Sequence, residues 1–345
     1  MPGSTRDLRA IVDAFAALSG TQKILIGMGP WGFSTRVLAG KLGSMLSFCS
    51  PQAEEVAPGH IDPATLVDTY RFRSISPATE VYCIIGNPVM HSKSPWIHNP
   101  ALRALGIDGV YVPIQVDDPE DFFKLIPAMD IRGVSVTIPH KSAVRKLLGV
   151  EDNAVTAVGA CNTVYESDRV FHGANTDVPG FVAPLAAFAT REEIGRMSVT
   201  VVGAGGTARS AVFALRELGA RVLVVNRTPS RAEDLATEFG CSWARLGAAA
   251  QDQIAQHSDL IVQTTSAGMH PMADLDPLEF HEFSGKEIVY DVIYAPPETK
   301  MLKRARLAGC PTLNGRQMLL EQAYLQFELF TGKAYPEELR GMEIN

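Results

Sequence analysis

The stretch SVTVVGAGGTARSAVFALRELG, residues 198–219, decides the fold class of this chain. A short valine-rich run of buried-strand type meets a glycine turn, and a helical stretch starts at once behind it. Gly203, Gly205 and Ala208 fit the pattern G-x-G-x-x-A, with Gly206 between them. In that strand–turn–helix context the first glycine permits the tight turn and the second lets backbone approach a pyrophosphate. The small third position lets helix and strand pack closely, and the helix N-terminus offers amide donors to the phosphates. The expected ligand is a dinucleotide.

The next strand, RVLVVNRT (221–228), selects which one. An NAD site places Asp or Glu at this strand end to accept from the ribose hydroxyls. Here the end reads Asn226-Arg227-Thr228, with Arg231 one turn later. A carboxylate would repel a 2′-phosphate, whereas guanidinium forks and a hydroxyl bind it. NADP is the expected cofactor.

Outward from this core the alternation continues. SRAEDLATEFG, SDLIVQTTSAG, KEIVYDVIY and KMLKRARLAG follow, and GRQMLLEQAYLQFELFTG closes the chain as a helix. Toward the N-terminus lie VYCIIG, the loop NPVMHSKSP, the helix WIHNPALRALG, GVYVPIQV, a helix around DFFKLIPAM, and GVSVTIP. TVYESDRVFHGAN reads as a hairpin with its tip at 166–169. Strands separated by helices argue for parallel, wound sheets in an α/β protein.

Composition narrows the function classes. Of 345 residues 46% are apolar, enough for full cores, and the net charge of −7 argues against a nucleic-acid partner. No apolar run reaches the ~18 residues of a membrane span, and MPGSTRDLRA lacks the apolar core of a signal peptide. Cys49, Cys83, Cys161, Cys241 and Cys310 are scattered and odd in number, so a reducing cytoplasm is expected. The eight histidines show no ligand spacing, and no metal is expected.

Three polar clusters sit where strands end, the place for substrate groups in an open α/β sheet. Ser92-Lys93-Ser94-Pro95 offers two hydroxyls that can both donate to a carboxylate. Ser135-Val136-Thr137-Ile138-Pro139-His140-Lys141 puts Ser135 and Thr137 on one strand face; Pro139 is expected to open a helix, delivering Lys141 near the strand end. Asn162-Thr163 and Asn175-Thr176-Asp177 bracket the hairpin. Singly, a helix cap or a solvated lysine explains each cluster. Together they supply a lysine, an aspartate and neutral donors, enough to orient a polyol acid and transfer a proton.

In order, GNPVMHSKSPWIHN, SVTIPHK, GACNT, ANTD, GAGGTAR, NRTPSRA and NGRQMLLEQA resemble shikimate dehydrogenase. The resemblance runs from about Glu80 to the C-terminus. It implies NADPH-linked reduction of 3-dehydroshikimate to shikimate, with residues 80–180 and 316–345 binding substrate and a Rossmann domain over 181–315 binding NADP. It implies that Ser92 and Ser94 bind the substrate carboxylate, and that Thr137, Asn162, Asp177 and Gln322 contact ring hydroxyls and carboxylate. Lys141 and Asp177 match the catalytic pair, Tyr294 a cleft tyrosine, and Asn226, Arg227, Thr228 and Arg231 the adenosine-phosphate pocket. Ser135 departs from the family, where many members carry Asn, as does Arg316-Gln317 in the closing motif. Two alternatives stay open, a quinate/shikimate dehydrogenase using NAD and an inactive metabolite-binding regulator.

Residues 1–75 resemble the last part of a type I 3-dehydroquinate dehydratase, through ILIGMGPWGFSTRVLAGKLGSMLSFC and APGHI. That family is a Schiff-base-forming barrel of eight strands. Here KILIGMG and MLSFC are expected as strands, and RDLRAIVDAFAALS, WGFSTRVLAGKLG and PATLVDTYRFRSI as helices, giving a partial (β/α) barrel. Arg36 matches a carboxylate-binding arginine, while Val56-Ala57-Pro58-Gly59-His60 departs from the family's SAPGQ. Lys23 and Lys41 sit at the wrong places for the Schiff-base lysine, so no dehydratase activity is expected. The incomplete strand edges make self-association through this segment an expectation.

Overall fold

The computed structural model describes residues 1–20, 22–50 and 61–343. The chain forms two compact units, one of Met1–Val155, Cys161–Ala174 and Ala323–Asn345, the other of Thr156–Ala160 and Asn175–Gln322.

The first unit holds a six-stranded sheet made of β1 (Glu80–Gly86), β2 (Gly109–Gln115), β3 (Ile131–Val136), β4 (Val150–Glu151), β5 (Thr163–Ser167) and β6 (Val170–Ala174), in the order β2-β1-β3-β5-β6-β4. β1 runs parallel to both neighbours, with Ile85 opposite Ile114 and Val136. All its residues from Val81 onward are buried, as befits a strand covered on both faces. β5 and β6 form the expected hairpin, closing through Asp168 and Arg169 at φ 51° and 63°. Two left-handed residues in a row match the twist of the flanking strands.

The second unit is a doubly wound parallel sheet of β7 (Ser198–Val202), β8 (Arg221–Asn226), β9 (Ser242–Arg245), β10 (Leu260–Gln263), β11 (Ile288–Asp291) and β12 (Thr312–Leu313), ordered β12-β11-β10-β7-β8-β9. Helices Gly206–Leu218 and Pro229–Phe239 cross between strands and stop at Gly219 and Gly240, both left-handed.

The N-terminal segment departs from the sequence reading. Helix Thr5–Ala17 forms, capped by Ser4, and Gly29–Val37 and Ala39–Leu42 follow. Among the described residues KILIGMG and MLSFC join no strand ladder; the Met45 amide donates to the Lys23 carbonyl at 3.0 Å. A strand needs flanking strands to complete its ladder, and the described part of this segment supplies none, so the expected partial barrel is not formed there. PATLVDTYRFRSI is a π-turn, Thr65–Thr69, and a 3₁₀ turn, Phe72–Ser74, broken at left-handed Arg71. APGH lies outside the described residues. The segment is nonetheless well packed: Leu8, Val12, Phe15, Val37 and Tyr70 share one apolar core with Val81, Ile85, Val116 and Phe122. Thr5 donates through N and Oγ1 to Asp117 Oδ1 at 2.9 and 2.6 Å, and Arg9 pairs with Asp121 at 3.3 Å. No described helix is long and apolar enough to cross a membrane.

Candidate functional site

In the first unit, the polar clusters gather at the C-terminal ends of β1 and β3. The Ser92 hydroxyl donates to Ser94 Oγ at 3.2 Å, and the Ser94 amide donates back to Ser92 Oγ at 3.3 Å. Ser94 begins helix Ser94–Ala104 and is buried. Thr137 follows β3 directly, its amide donating to Ile85 O at 2.9 Å. A Cβ at Gly86 would stand 2.5 Å from the Thr137 methyl, so this approach of β1 to Thr137 requires glycine.

Pro139 does not open a helix. Residues 138–142 form turns, and only a 3₁₀ turn, Val144–Leu147, follows. The reason is where the Lys141 carbonyl goes: it accepts from the Cys161 amide at 2.7 Å. That bond sets Lys141 beside the Cys161-Asn162 backbone. Asn162 O in turn accepts from the Val136 amide at 2.7 Å. Lys141, Thr137 and Asn162 are thereby anchored to one strand end.

A buried hydrogen-bond chain missed by the sequence reading runs beneath them. Tyr111 OH donates to Ser135 Oγ at 2.7 Å, and Ser135 donates to Gln326 Oε1 at 2.7 Å. Gln326 Nε2 donates to Asn162 O at 3.2 Å and Thr163 Oγ1 at 3.1 Å. Thr163 Oγ1 donates to Asn162 Oδ1 at 2.9 Å. Tyr111 is pinned on its backbone by Asn99 and stacks on His98 with ring centroids 4.2 Å apart. His98 is 1% exposed, neither ring nitrogen has a partner among the described residues, and burial pulls its pKa down to about 3.

In the second unit Asp177 is buried at the start of helix Asp177–Val182. Capping is done by Asn175, whose Oδ1 accepts from the Asp177 and Val178 amides at 3.1 and 3.3 Å. Asp177 is thus not explained as a cap. Gln322 is buried in the last helix, Arg316–Thr331, and donates to Leu319 O at 2.9 Å.

The glycine turn after β7 takes the conformation its sequence requires. Gly203 has φ 118°, and a Cβ there would lie 2.4 Å from Thr264 Oγ1. Gly205 is exposed and faces open space, leaving room for a pyrophosphate against the amides that begin helix Gly206–Leu218. Ala208 is fully buried against the strand. At the end of β8, Asn226 Nδ2 donates to Thr228 O at 3.0 Å. Arg227, Thr228 and Arg231 are exposed, and neither arginine forms an ion pair with a described residue. These groups fit an NADP adenosine phosphate.

Asp291, unremarked in the sequence, ends β11 fully buried. It accepts from the Ile293 amide at 3.0 Å and from Thr299 Oγ1 at 2.7 Å. Burial raises its pKa to about 6, and its bonds hold the loop carrying half-buried Tyr294, whose phenol is also shifted up by desolvation. Its only sequence signal was its position three residues before Tyr294. Among the described residues no three His, Cys, Asp or Glu gather as a metal-binding group.

Comparison with known proteins gives four family matches. The shikimate dehydrogenase substrate binding domain matches 84–164, shikimate / quinate 5-dehydrogenase 186–276, the shikimate 5′-dehydrogenase C-terminal domain 315–339, and type I 3-dehydroquinase 1–77. The bifunctional 3-dehydroquinate dehydratase/shikimate dehydrogenase of Arabidopsis thaliana, a chloroplastic protein, is 35% identical over 96% of this chain; the match spans only 58% of that relative's length. Shikimate dehydrogenase (NADP(+)) of Bacillus subtilis is 38% identical over 74% of this chain and 92% of its own. Among solved structures, shikimate 5-dehydrogenase of Thermus thermophilus with NADP(H) and shikimate aligns with TM-score 0.67 at 33% identity, covering 76% of this chain and 97% of that one. Quinate dehydrogenase of Corynebacterium glutamicum with NAD aligns at 0.68 and 30%, covering 76% and 97%. The chain therefore belongs to the shikimate dehydrogenase family, with an N-terminal region similar to type I 3-dehydroquinase.

Proposed function

We propose that this chain catalyses the NADP-dependent, reversible reduction of 3-dehydroshikimate to shikimate, a step toward aromatic amino acids. The observation that carries it is the anchoring of Lys141 beside Asn162 and Thr137 at one strand end, with the Ser92–Ser94 hydroxyls after β1. In this reading residues 80–180 with 316–345 bind substrate and 181–315 bind NADP. Ser92 and Ser94 take the carboxylate, and Thr137, Asn162, Gln322 and Tyr294 take the ring.

When bound, NADPH supplies the hydride. Negative charge then develops on the substrate carbonyl oxygen; the Lys141 ammonium stabilises it and donates the proton. Asp177 is the second member of the catalytic pair and accepts from the adjoining substrate hydroxyl. Gly203, Gly205, Gly206 and Ala208 cradle the pyrophosphate, and Asn226, Arg227, Thr228 and Arg231 hold the 2′-phosphate. The absence of a carboxylate at the end of β8 favours NADP over the NAD-linked quinate reading.

The N-terminal segment carries no dehydratase activity in this proposal. Lys23 Nζ is spent on the Phe15 and Leu18 carbonyls at 2.9 and 3.3 Å, and Lys41 on Pro77 O and Asp130 at 2.8 and 3.0 Å. Both amines are engaged by these partners, so neither is left as a free nucleophile. Exposed Leu18, Ile24, Met45 and Phe48 support self-association through this segment. The scattered, odd-numbered cysteines make a reducing cytoplasm the compartment of this reading.

The test is a panel of shikimate and quinate with both nicotinamide cofactors, alongside Arg227→Ala. Shikimate with NADP is the expected best pair, and Arg227→Ala raises the KM for NADP while hardly moving that for NAD. Preference for quinate and NAD sustains the alternative enzyme; binding without turnover sustains the regulator. Supplying 3-dehydroquinate without NADPH and following enone absorbance tests the dehydratase. Light scattering of Phe48→Glu against the parent tests association.

A further inference from the structure

We propose that Thr163 is a positioning residue which, set by the Ser135–Gln326 pair, fixes which end of the Asn162 amide meets the substrate; this rests on Asn162 being a substrate-binding group. A backbone carbonyl can only accept, and this sets the direction of the whole chain. Because Asn162 O lies 3.2 Å from Gln326, the nitrogen end of that side chain faces it, and Oε1 faces Ser135. Ser135 must then give its one proton to Gln326 and accept from Tyr111. On the other branch, Thr163 Oγ1 accepts from Gln326 Nε2, so its own proton goes to Asn162 Oδ1.

Asn162 Oδ1 is thus held as an acceptor within the protein, and Nδ2 is the end offered as donor to a ring hydroxyl oxygen. Ser135 and Thr163 face each other across β3 and β5, and both are buried, so the chain is built on two paired strands rather than on a mobile loop. Ser135 suits this role because a hydroxyl donates once and accepts at the same time. Without Thr163 the amide loses this hold on Oδ1, and a donor can be exchanged for an acceptor at the recognition point.

The experiment is shikimate oxidation by Thr163→Val, Ser135→Ala, Ser135→Thr, Asn162→Ala and the double variant Asn162→Ala/Thr163→Val, each assayed well below its melting temperature. Thr163→Val and Ser135→Ala are expected to raise the KM for shikimate about 3- to 10-fold, the worth of one neutral hydrogen bond. The KM for NADP stays unmoved and kcat changes less, while Ser135→Thr, which keeps the hydroxyl, restores the parent value. In the double variant the KM equals that of Asn162→Ala alone, because Thr163 acts only through Asn162. Multiplying effects, or a lowered melting temperature with an unmoved shikimate KM, overturns the proposal. An Asn162→Ala variant with unchanged KM instead overturns the substrate-binding reading on which it rests.

Discussion

Two regions of the first unit handle buried polar groups in opposite ways. Around β3 and β5, Tyr111, Ser135, Gln326, Thr163 and Asn162 complete one another's hydrogen bonds. In the dehydroquinase-like segment, Arg36 Nε and the Ser34, Ser47 and Ser50 hydroxyls are buried with no partner among the described residues. Arg36 is 1% exposed; among the described residues it donates to Phe48 O at 3.3 Å and to the Met28 sulfur at 3.2 Å, and burial shifts its pKa down. Apolar packing runs through both regions, but among the described residues these four groups of the segment lack the polar partners that the β3–β5 chain supplies to its members. A core keeps its shape through side-chain volume alone, whereas a binding site needs each donor matched to an acceptor.

The sharpest way to break this contrast compares lysines. Lys141→Ala should lower turnover about 10²- to 10⁴-fold, the scale of acid–base catalysis. Lys23→Ala and Lys41→Ala should leave the turnover of folded protein unchanged. Near-normal steady-state rates for Lys141→Ala would remove the catalytic assignment.

Serines come next. Ser92→Ala or Ser94→Ala should raise the KM for shikimate roughly 10- to 150-fold, since each loses a hydrogen bond of ~1.5–3 kcal/mol to a charged group. Ser34→Ala and Ser50→Ala should not move it. Saturation curves that respond equally to both pairs would erase the distinction between the regions.

Two buried nitrogen bases sharpen it further. His98 has its pKa depressed from 6.5 to about 3, so the stability it permits is fully present above pH 6.5 and is lost as pH falls toward 3. His98→Leu should therefore lose roughly 1 kcal/mol less per pH unit across that window, read by urea unfolding at pH 7 and pH 4. An unaltered pH slope would show that His98 titrates normally. Arginine has no neutral form to retreat to at these pH values. Arg36→Met should leave the melting temperature unchanged or raise it, because replacing a poorly paired buried charge by an apolar side chain is often neutral or stabilising. A marked fall would reveal a partner for the guanidinium.

Much of the fold was legible because it depends on local signals. The turn at Gly203 and the run Ala208 to Leu215 specify strand, turn and helix within a few residues, and the hairpin announces itself in Glu166-Ser167-Asp168-Arg169. The failures came from distant partners. KILIGMG has the composition of a strand, but a ladder is a property of two segments, and among the described residues no strand pairs with it. Pro139 opens no helix because Cys161, 20 positions beyond Lys141, takes the carbonyl a helix would use. Tyr111 passed for core in an apolar strand, and Gln326 sits one turn beyond Gln322 on the same helix; only tertiary pairing with Ser135 gives them a role. Lys141, Asp177 and the serines were singled out only through the order of family motifs, since each alone resembles a cap or a surface charge.

The shared core of Leu8, Val12, Val81 and Phe122 has a consequence for how this protein tolerates change. Its two ancestries meet near residue 77, yet no seam in the packing follows that border. Heritage and cooperativity are therefore drawn on different maps. Substitutions on helix Thr5–Ala17 will be felt by helix Pro119–Met129 through the Thr5–Asp117 bonds and the Arg9–Asp121 pair, across a line that descent alone would treat as a joint. Whatever its own chemistry, the segment also serves as a structural wall of its neighbour, through the apolar core that the two share.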